Sequence, residues 1–161
     1  TGFVPKQSLT ESLTKSLQQR AVPVTVVENE LASERARADW VFGDLPLGLD
    51  AVLDVKIDYW GYYLEKEAGG YVPTMYVSAQ LLATAGSGAR LEKYYYRADY
   101  YQKEDDRRRL KTKPELIVPS LDQFPANASR VREAMIEMAQ TVGDRLAEDA
   151  DRAIKKLETL Y

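Results

Sequence analysis

Asp54 and Asp58 are the first residues in this chain whose types and spacing invite a chemical reading. Two carboxylates facing one cleft are the smallest machinery for general acid–base work on a glycosidic bond. Both lie in a stretch where apolar and polar residues alternate, so they share the polar face of one strand. Four residues of strand place them about 13 Å apart, whereas the carboxylate pairs of glycosidases stand about 5–9.5 Å apart. Lys56 lies between them, and the pattern reads as a solvated strand face.

Other motifs resolve in the same way. Gly86-Ser87-Gly88 has Leu91 where a dinucleotide fingerprint needs its third glycine, and a strand follows where that fingerprint needs a helix. Arg107-Arg108-Arg109, with Lys103, Lys111 and Lys113, is interleaved with Glu104, Asp105 and Asp106, so residues 103–113 read as a charged loop. Asn127-Ala128-Ser129 matches a glycosylation acceptor but also suits the start of a helix, which is the preferred reading.

Composition removes whole classes of chemistry. The 161 residues include no cysteine and no histidine. The common zinc sites, disulfides and Ser-His or Cys-His nucleophile systems therefore have no residues to build them. No catalytic, metal-binding or cofactor-binding residue is assigned, and an enzyme would have to rely on carboxylates, tyrosine or lysine alone. A net charge of -3 offers no general attraction to nucleic acid or to an anionic membrane. No apolar run approaches the ~20 residues of a membrane-spanning helix. Residues 1–3 show neither the charged nor the apolar region of a signal peptide.

Tyrosine is over-represented, with 11 Tyr against 3 Phe. Consecutive strand residues point to opposite faces, so runs such as Tyr94-Tyr95-Tyr96 must send some rings away from the core. Trp60, Tyr62, Tyr63, Tyr76, Tyr95 and Tyr101 form the candidate interaction surface, because exposed aromatic patches mark partner sites. The competing reading is that the edges of a long helix cover them.

The elements that position these residues follow from periodicity. Ser8-Leu9-Thr10-Glu11 has the form of a capping box, and Leu9, Leu13 and Leu17 continue as one stripe of a helix ending near Arg20. Residues 21–27 are β-branched and predict a strand; 29–38 predict a short helix and 39–50 a connection. From Asp50 the period becomes two, with Ala51, Leu53, Val55, Ile57 and Tyr59 inward. A polar turn at 65–70 leads to a second strand at 71–84, with Met75, Val77, Ala79, Leu81 and Ala83 inward and Thr74, Tyr76, Ser78 and Gln80 outward. A hairpin turn at 85–88 precedes a third strand at 89–101, with Tyr94, Tyr96, Ala98 and Tyr100 as the inward set and the opposite register as the alternative. Residues 116–118 suggest a short strand and 119–125 a linker. Val131, Met135, Met138, Val142, Leu146, Ala150, Ile154 and Leu157 then mark a long amphipathic helix, capped near Asn127 or Ser129 and weakened or bent at Gly143.

A helix of about 30 residues and strands of about 14 residues both span about 45 Å. The predicted fold is a single α/β (α+β) domain over residues 1–161. It is a two-layer sandwich whose first and last helices pack on one face of a largely antiparallel sheet with a long central hairpin.

Three phrases carry a resemblance: Leu17-Gln18-Gln19-Arg20-Ala21-Val22-Pro23-Val24, Gly48-Leu49-Asp50-Ala51-Val52-Leu53-Asp54-Val55, and Val77-Ser78-Ala79-Gln80-Leu81-Leu82 before a glycine turn and Leu91-Glu92-Lys93-Tyr94. Their order over residues 7–101 resembles bacterial cell-envelope lipoproteins of uncharacterised function, and the amino-terminal domain of the Tol-Pal translocation protein and the curli-secretion lipoprotein. The first strand usual in such domains, ahead of the first helix, is missing. The resemblance implies a non-enzymatic domain in the periplasm, anchored to the outer membrane by a lipidated cysteine upstream of Thr1, and transfers no functional residue. The expected role is binding an envelope protein or self-association. The alternative is carriage of a small apolar or lipid ligand between sheet and helix.

Overall fold

Period-two alternation builds the centre of the molecule. The computed structural model describes residues 5–26, 51–83, 90–99, 108–111 and 113–158. Strands β1 (Ala51–Glu65) and β2 (Gly70–Ala83) form an antiparallel hairpin around a turn at 66–69. Strand β3 (Arg90–Asp99) pairs antiparallel with β2, and β4 (Arg108–Lys111) pairs parallel with β3. The sheet order is β1-β2-β3-β4. Helices α1 (Pro5–Gln19) and α2 (Ala128–Glu158) pack together on one face, giving the expected two-layer α+β arrangement.

The core lies between the layers. Met75, Val77, Ala79 and Leu81 of β2, with Tyr94, Tyr96 and Ala98 of β3, meet Met135, Met138, Ala139, Val142 and Leu146 of α2 and Leu9 of α1. The helical residues recur at three and four positions, which puts them on one stripe. A second cluster joins Leu17 of α1 to Ala147 and Ala150 of α2.

Local rules explain where the chain departs from its pattern. Helix α1 starts at Pro5, so Ser8 lies inside the helix rather than at its cap. Proline suits a first helical position because its missing N–H would have had no partner there. At the other end, the Val22 N–H reaches the Leu17 carbonyl at 3.1 Å and the Ala21 N–H reaches that of Gln18 at 3.0 Å. This is a Schellman closure, with Ala21 held at φ 60 where glycine is usual. Residues 22–26 form no ladder, contrary to the predicted strand. Pro23 lacks a donor, and Val22 and Val24 pack instead on the Leu17–Ala147–Ala150 cluster.

The register of β1 slips between Ile57 and Tyr59, making Asp58 the extra residue of a bulge. Past it the alternation reverses. Tyr59 lies opposite outward Tyr76 rather than on the inner face as expected, and Trp60 lies opposite buried Met75. Thr74, expected to face outward into solvent, is buried, as are Val72, Pro73 and Met75 beside it. Both faces of β2 are therefore covered at that end.

Strand β4 corrects the reading of 103–113 as loop. Residues 116–118 make no strand: Pro114–Leu116 is a 3-10 turn and only Val118 bridges Tyr71. Prolines at 114 and 119 deny the ladder donors on both sides. Two further 3-10 turns, Leu121–Gln123 and Pro125–Asn127, replace the expected linker and lead into α2. The Asn127 amide donates back to the Gln123 carbonyl at 2.8 Å, and the Ser129 hydroxyl donates to the Glu133 carboxylate at 3.3 Å, so neither hydrogen bond serves as the expected cap. Lys113 pairs with Glu137, fastening this segment to α2. The predicted 29–38 helix, the 39–50 connection, the 85–88 turn, Tyr100 and residues 103–106 lie outside the described residues.

Candidate interaction surface

Helix α2 carries an acidic residue on its apolar stripe. Asp149, 3% exposed, follows Leu146 by three residues and faces the sheet. The Tyr96 hydroxyl donates to its carboxylate at 2.6 Å, and the Tyr94 hydroxyl donates to its backbone carbonyl at 3.3 Å. Arg145 Nε stands 3.8 Å and Arg152 Nη1 3.7 Å from the same carboxylate. Glu148 in turn binds both arginines, at 3.0 and 2.9 Å. Tyr94 and Tyr96 were expected inside; Asp149 was not, although an aspartate at core spacing was the signal that marks it. A carboxylate so enclosed needs partners to offset its desolvation, and here they lock the register of α2 against β3.

The Asp54 and Asp58 carboxylates do not converge. Gln80 Nε2 donates to Asp54 at 3.1 Å, and Asp58 pairs with Lys56 at 3.5 Å. Among the described residues no cluster of three or more acidic side chains gathers to hold a metal ion. No helix among them is long and apolar enough to cross a membrane.

The six candidate aromatics separate into distinct settings. Trp60 and Tyr63 are 48% and 61% exposed on β1, an edge strand of the sheet among the described residues, with Leu64 at 47%. Tyr76 and Tyr95 lie on the face turned away from α1 and α2, each beneath a cation: Arg97 stands 5.0 Å from the Tyr76 ring and Lys93 4.7 Å from the Tyr95 ring. Tyr59, absent from the expected set because the bulge was hidden, stacks 5.6 Å from Tyr76 on that face. Tyr101 lies outside the described residues. Tyr62 is taken into the fold: its ring meets Phe124 edge-on at 5.1 Å, Phe124 also meets Tyr71 at 5.6 Å, and its hydroxyl donates to the Leu116 carbonyl at 3.4 Å.

Burial pushes the Tyr62 hydroxyl up to about 12, against a smaller downward pull from Arg130. The folded state thus holds this proton after the unfolded chain has lost it. The associated stability is complete below pH 10 and is lost as pH rises from 10 towards 12. The phenol keeps water contact, so the full conversion is discounted to about 1–2 kcal/mol. Urea titrations between pH 9 and 12 should show a shallower alkaline loss for Tyr62→Phe than for the parent; parallel curves would refute the assignment.

Between sheet and helix, Met75, Tyr96, Val142 and Leu146 are each 1% exposed or less and form the packed centre of the core. No protein-family model, curated protein or solved structure matches this chain.

Proposed function

We propose that this chain is a non-enzymatic, protein-binding domain of a bacterial envelope lipoprotein, and that it docks its partner on the far end of β1. One observation carries the binding assignment: Trp60 and Leu64 on one face of β1 and Tyr63 on the other stand exposed around the end of this edge strand. Tryptophan and tyrosine contribute the largest shares of binding energy at protein interfaces. A strand at a sheet edge also presents backbone groups along which a partner strand can pair. The envelope location rests on the resemblance of residues 7–101 to envelope lipoproteins, which also supplies the expectation of a lipid anchor upstream.

Exposed side chains can be replaced with little effect on stability. Trp60→Ala with Tyr63→Ser should reduce capture of the partner from solubilised source-cell membranes by roughly tenfold or more, with an unchanged melting curve. Capture equal to that of the parent would end the surface assignment. The mass of the protein extracted from those membranes should include an acylated N-terminal cysteine; an unacylated mass would end the envelope assignment.

A further inference from the structure

Residues 113–127 run as a strap from β4 to α2, and the strap is fastened to the hairpin end that carries Trp60, Tyr63 and Leu64. Its Val118 exchanges both backbone hydrogen bonds with Tyr71 of β2, at 2.7 and 2.9 Å. Gly70 admits this approach: a Cβ there would stand 2.7 Å from the Val118 carbonyl oxygen, 2.9 Å from Pro119 Cα and 3.0 Å from Ile117 Cγ2. Phe124 meets the Tyr62 ring of β1 at 5.1 Å and the Tyr71 ring at 5.6 Å, edge-on to both. The Tyr62 hydroxyl donates to the Leu116 carbonyl at 3.4 Å. The Lys113–Glu137 pair ties the start of the strap to α2.

Strand geometry passes this fastening on to the exposed side chains. Trp60 and Leu64 flank Tyr62 on its own face, each about 7 Å along the strand, and Tyr63 must point to the opposite face. Seating Tyr62 against Phe124 therefore sets the directions of all three neighbours. Packing beyond its two strands is also what gives a hairpin a fixed shape in water, and the strap supplies such packing here. We infer that Phe124 and Gly70 are positioning residues for the binding end of β1: the docked strap holds Trp60, Tyr63 and Leu64 in the arrangement that the protein partner recognises. This role rests on the binding function proposed for those three side chains. Binding and strap docking are linked, each favouring the other. Apparent affinity falls in proportion to the fraction of molecules whose strap remains docked.

Two readouts on variants of the full chain test the role: capture of the partner from solubilised source-cell membranes, and hydrogen exchange at the Tyr71 and Val118 amides. Phe124→Ala and Gly70→Ala should each release the strap, speed exchange at those two amides by roughly tenfold or more, and cut capture by roughly tenfold. The amides of Val77, Ala79 and Leu81, where β2 pairs with both β1 and β3, should keep their parental protection, which separates a released strap from a loosened domain. Phe124→Tyr keeps the ring and should restore both readouts. Full capture with fast exchange at Tyr71 and Val118 overturns the inference, as does weak capture with both amides still protected. Exchange that rises equally at all of these amides reduces Phe124 and Gly70 to general stability and overturns it as well. Capture indifferent to Trp60→Ala with Tyr63→Ser fails the binding function itself, whereas capture that needs Trp60 and Tyr63 but neither Phe124 nor Gly70 fails the strap alone.

Discussion

Tyr96→Phe should destabilise the domain by about 2–3 kcal/mol although it removes a single oxygen. The Tyr96 hydroxyl is 2.6 Å from the Asp149 carboxylate, and the two residues are 1% and 3% exposed. Without that donor the carboxylate stays enclosed and loses its 2.6 Å hydrogen bond, and the Arg145 and Arg152 guanidinium groups stand farther off, at 3.8 and 3.7 Å. Asp149→Ala should cost about 3–4 kcal/mol, since it also strips the acceptor from a buried phenol. For a domain of this size each kcal/mol lowers the melting temperature by about 2–4 °C, so Tyr96→Phe should melt roughly 5–10 °C below the parent. Calorimetry on the two single variants and the double variant gives the coupling directly. We expect about 1.5–3 kcal/mol, and strict additivity would show that the pair does not hold α2 to β3.

The second large effect sits where the two helices touch. A Cβ on Gly143 would lie 2.9 Å from Ser12 Oγ, 3.0 Å from Ser12 Cβ and 3.0 Å from the Leu13 backbone nitrogen. The Ser12 hydroxyl also uses this approach, lying 3.1 Å from the Gln140 carbonyl and 3.3 Å from Asp144 Oδ1. In an isolated helix, Gly→Ala stabilises by about 1 kcal/mol. Here Gly143→Ala should destabilise by about 1–2 kcal/mol, and Gly143→Leu by about 3 kcal/mol, because α1 must lift off Ala147 and Ala150. Adding Ser12→Gly to Gly143→Ala clears two of the three contacts and should recover part of the loss. Urea unfolding checks the series; a stabilising Gly143→Ala would mean the helices are not in close contact there.

These effects bear on what could be read from the residues alone. Period two in residues 51–57 and 75–81 and the three-and-four spacing of Met135, Met138, Val142 and Leu146 were sufficient for the sheet, the long helix and their packing. The bulge was not legible, because Ile57-Asp58-Tyr59 continues the alternation without a break and only pairing with β2 reveals the slip. Strand β4 was hidden because Arg108 and Arg109 read as solvated charge, whereas four residues of pairing require little intrinsic preference. Gly143 suggested a weak point in a helix, since spacing within α2 cannot report the approach of Ser12 from a distant part of the chain.

The interaction surface was legible in the same partial way. Alternation shows that some of Trp60, Tyr62 and Tyr63 must leave the core, but the choice depends on tertiary neighbours. Phe124 captures Tyr62, while Trp60 and Tyr63 stay about half or more exposed. Tyr76 was expected on the outer face; for Tyr95 the sequence left both registers of the third strand open, and pairing with β2 decides between them and brings the cationic partners of both rings.

Placing a photo-reactive phenylalanine analogue at Trp60 or Tyr63 in the source cells tests the binding assignment most directly, with Lys15 and Gln140 on exposed helix faces as control positions. The account predicts that both β1 positions cross-link to one and the same envelope protein and that the helix positions do not. No adduct from β1, or the same adducts from all four positions, would contradict it.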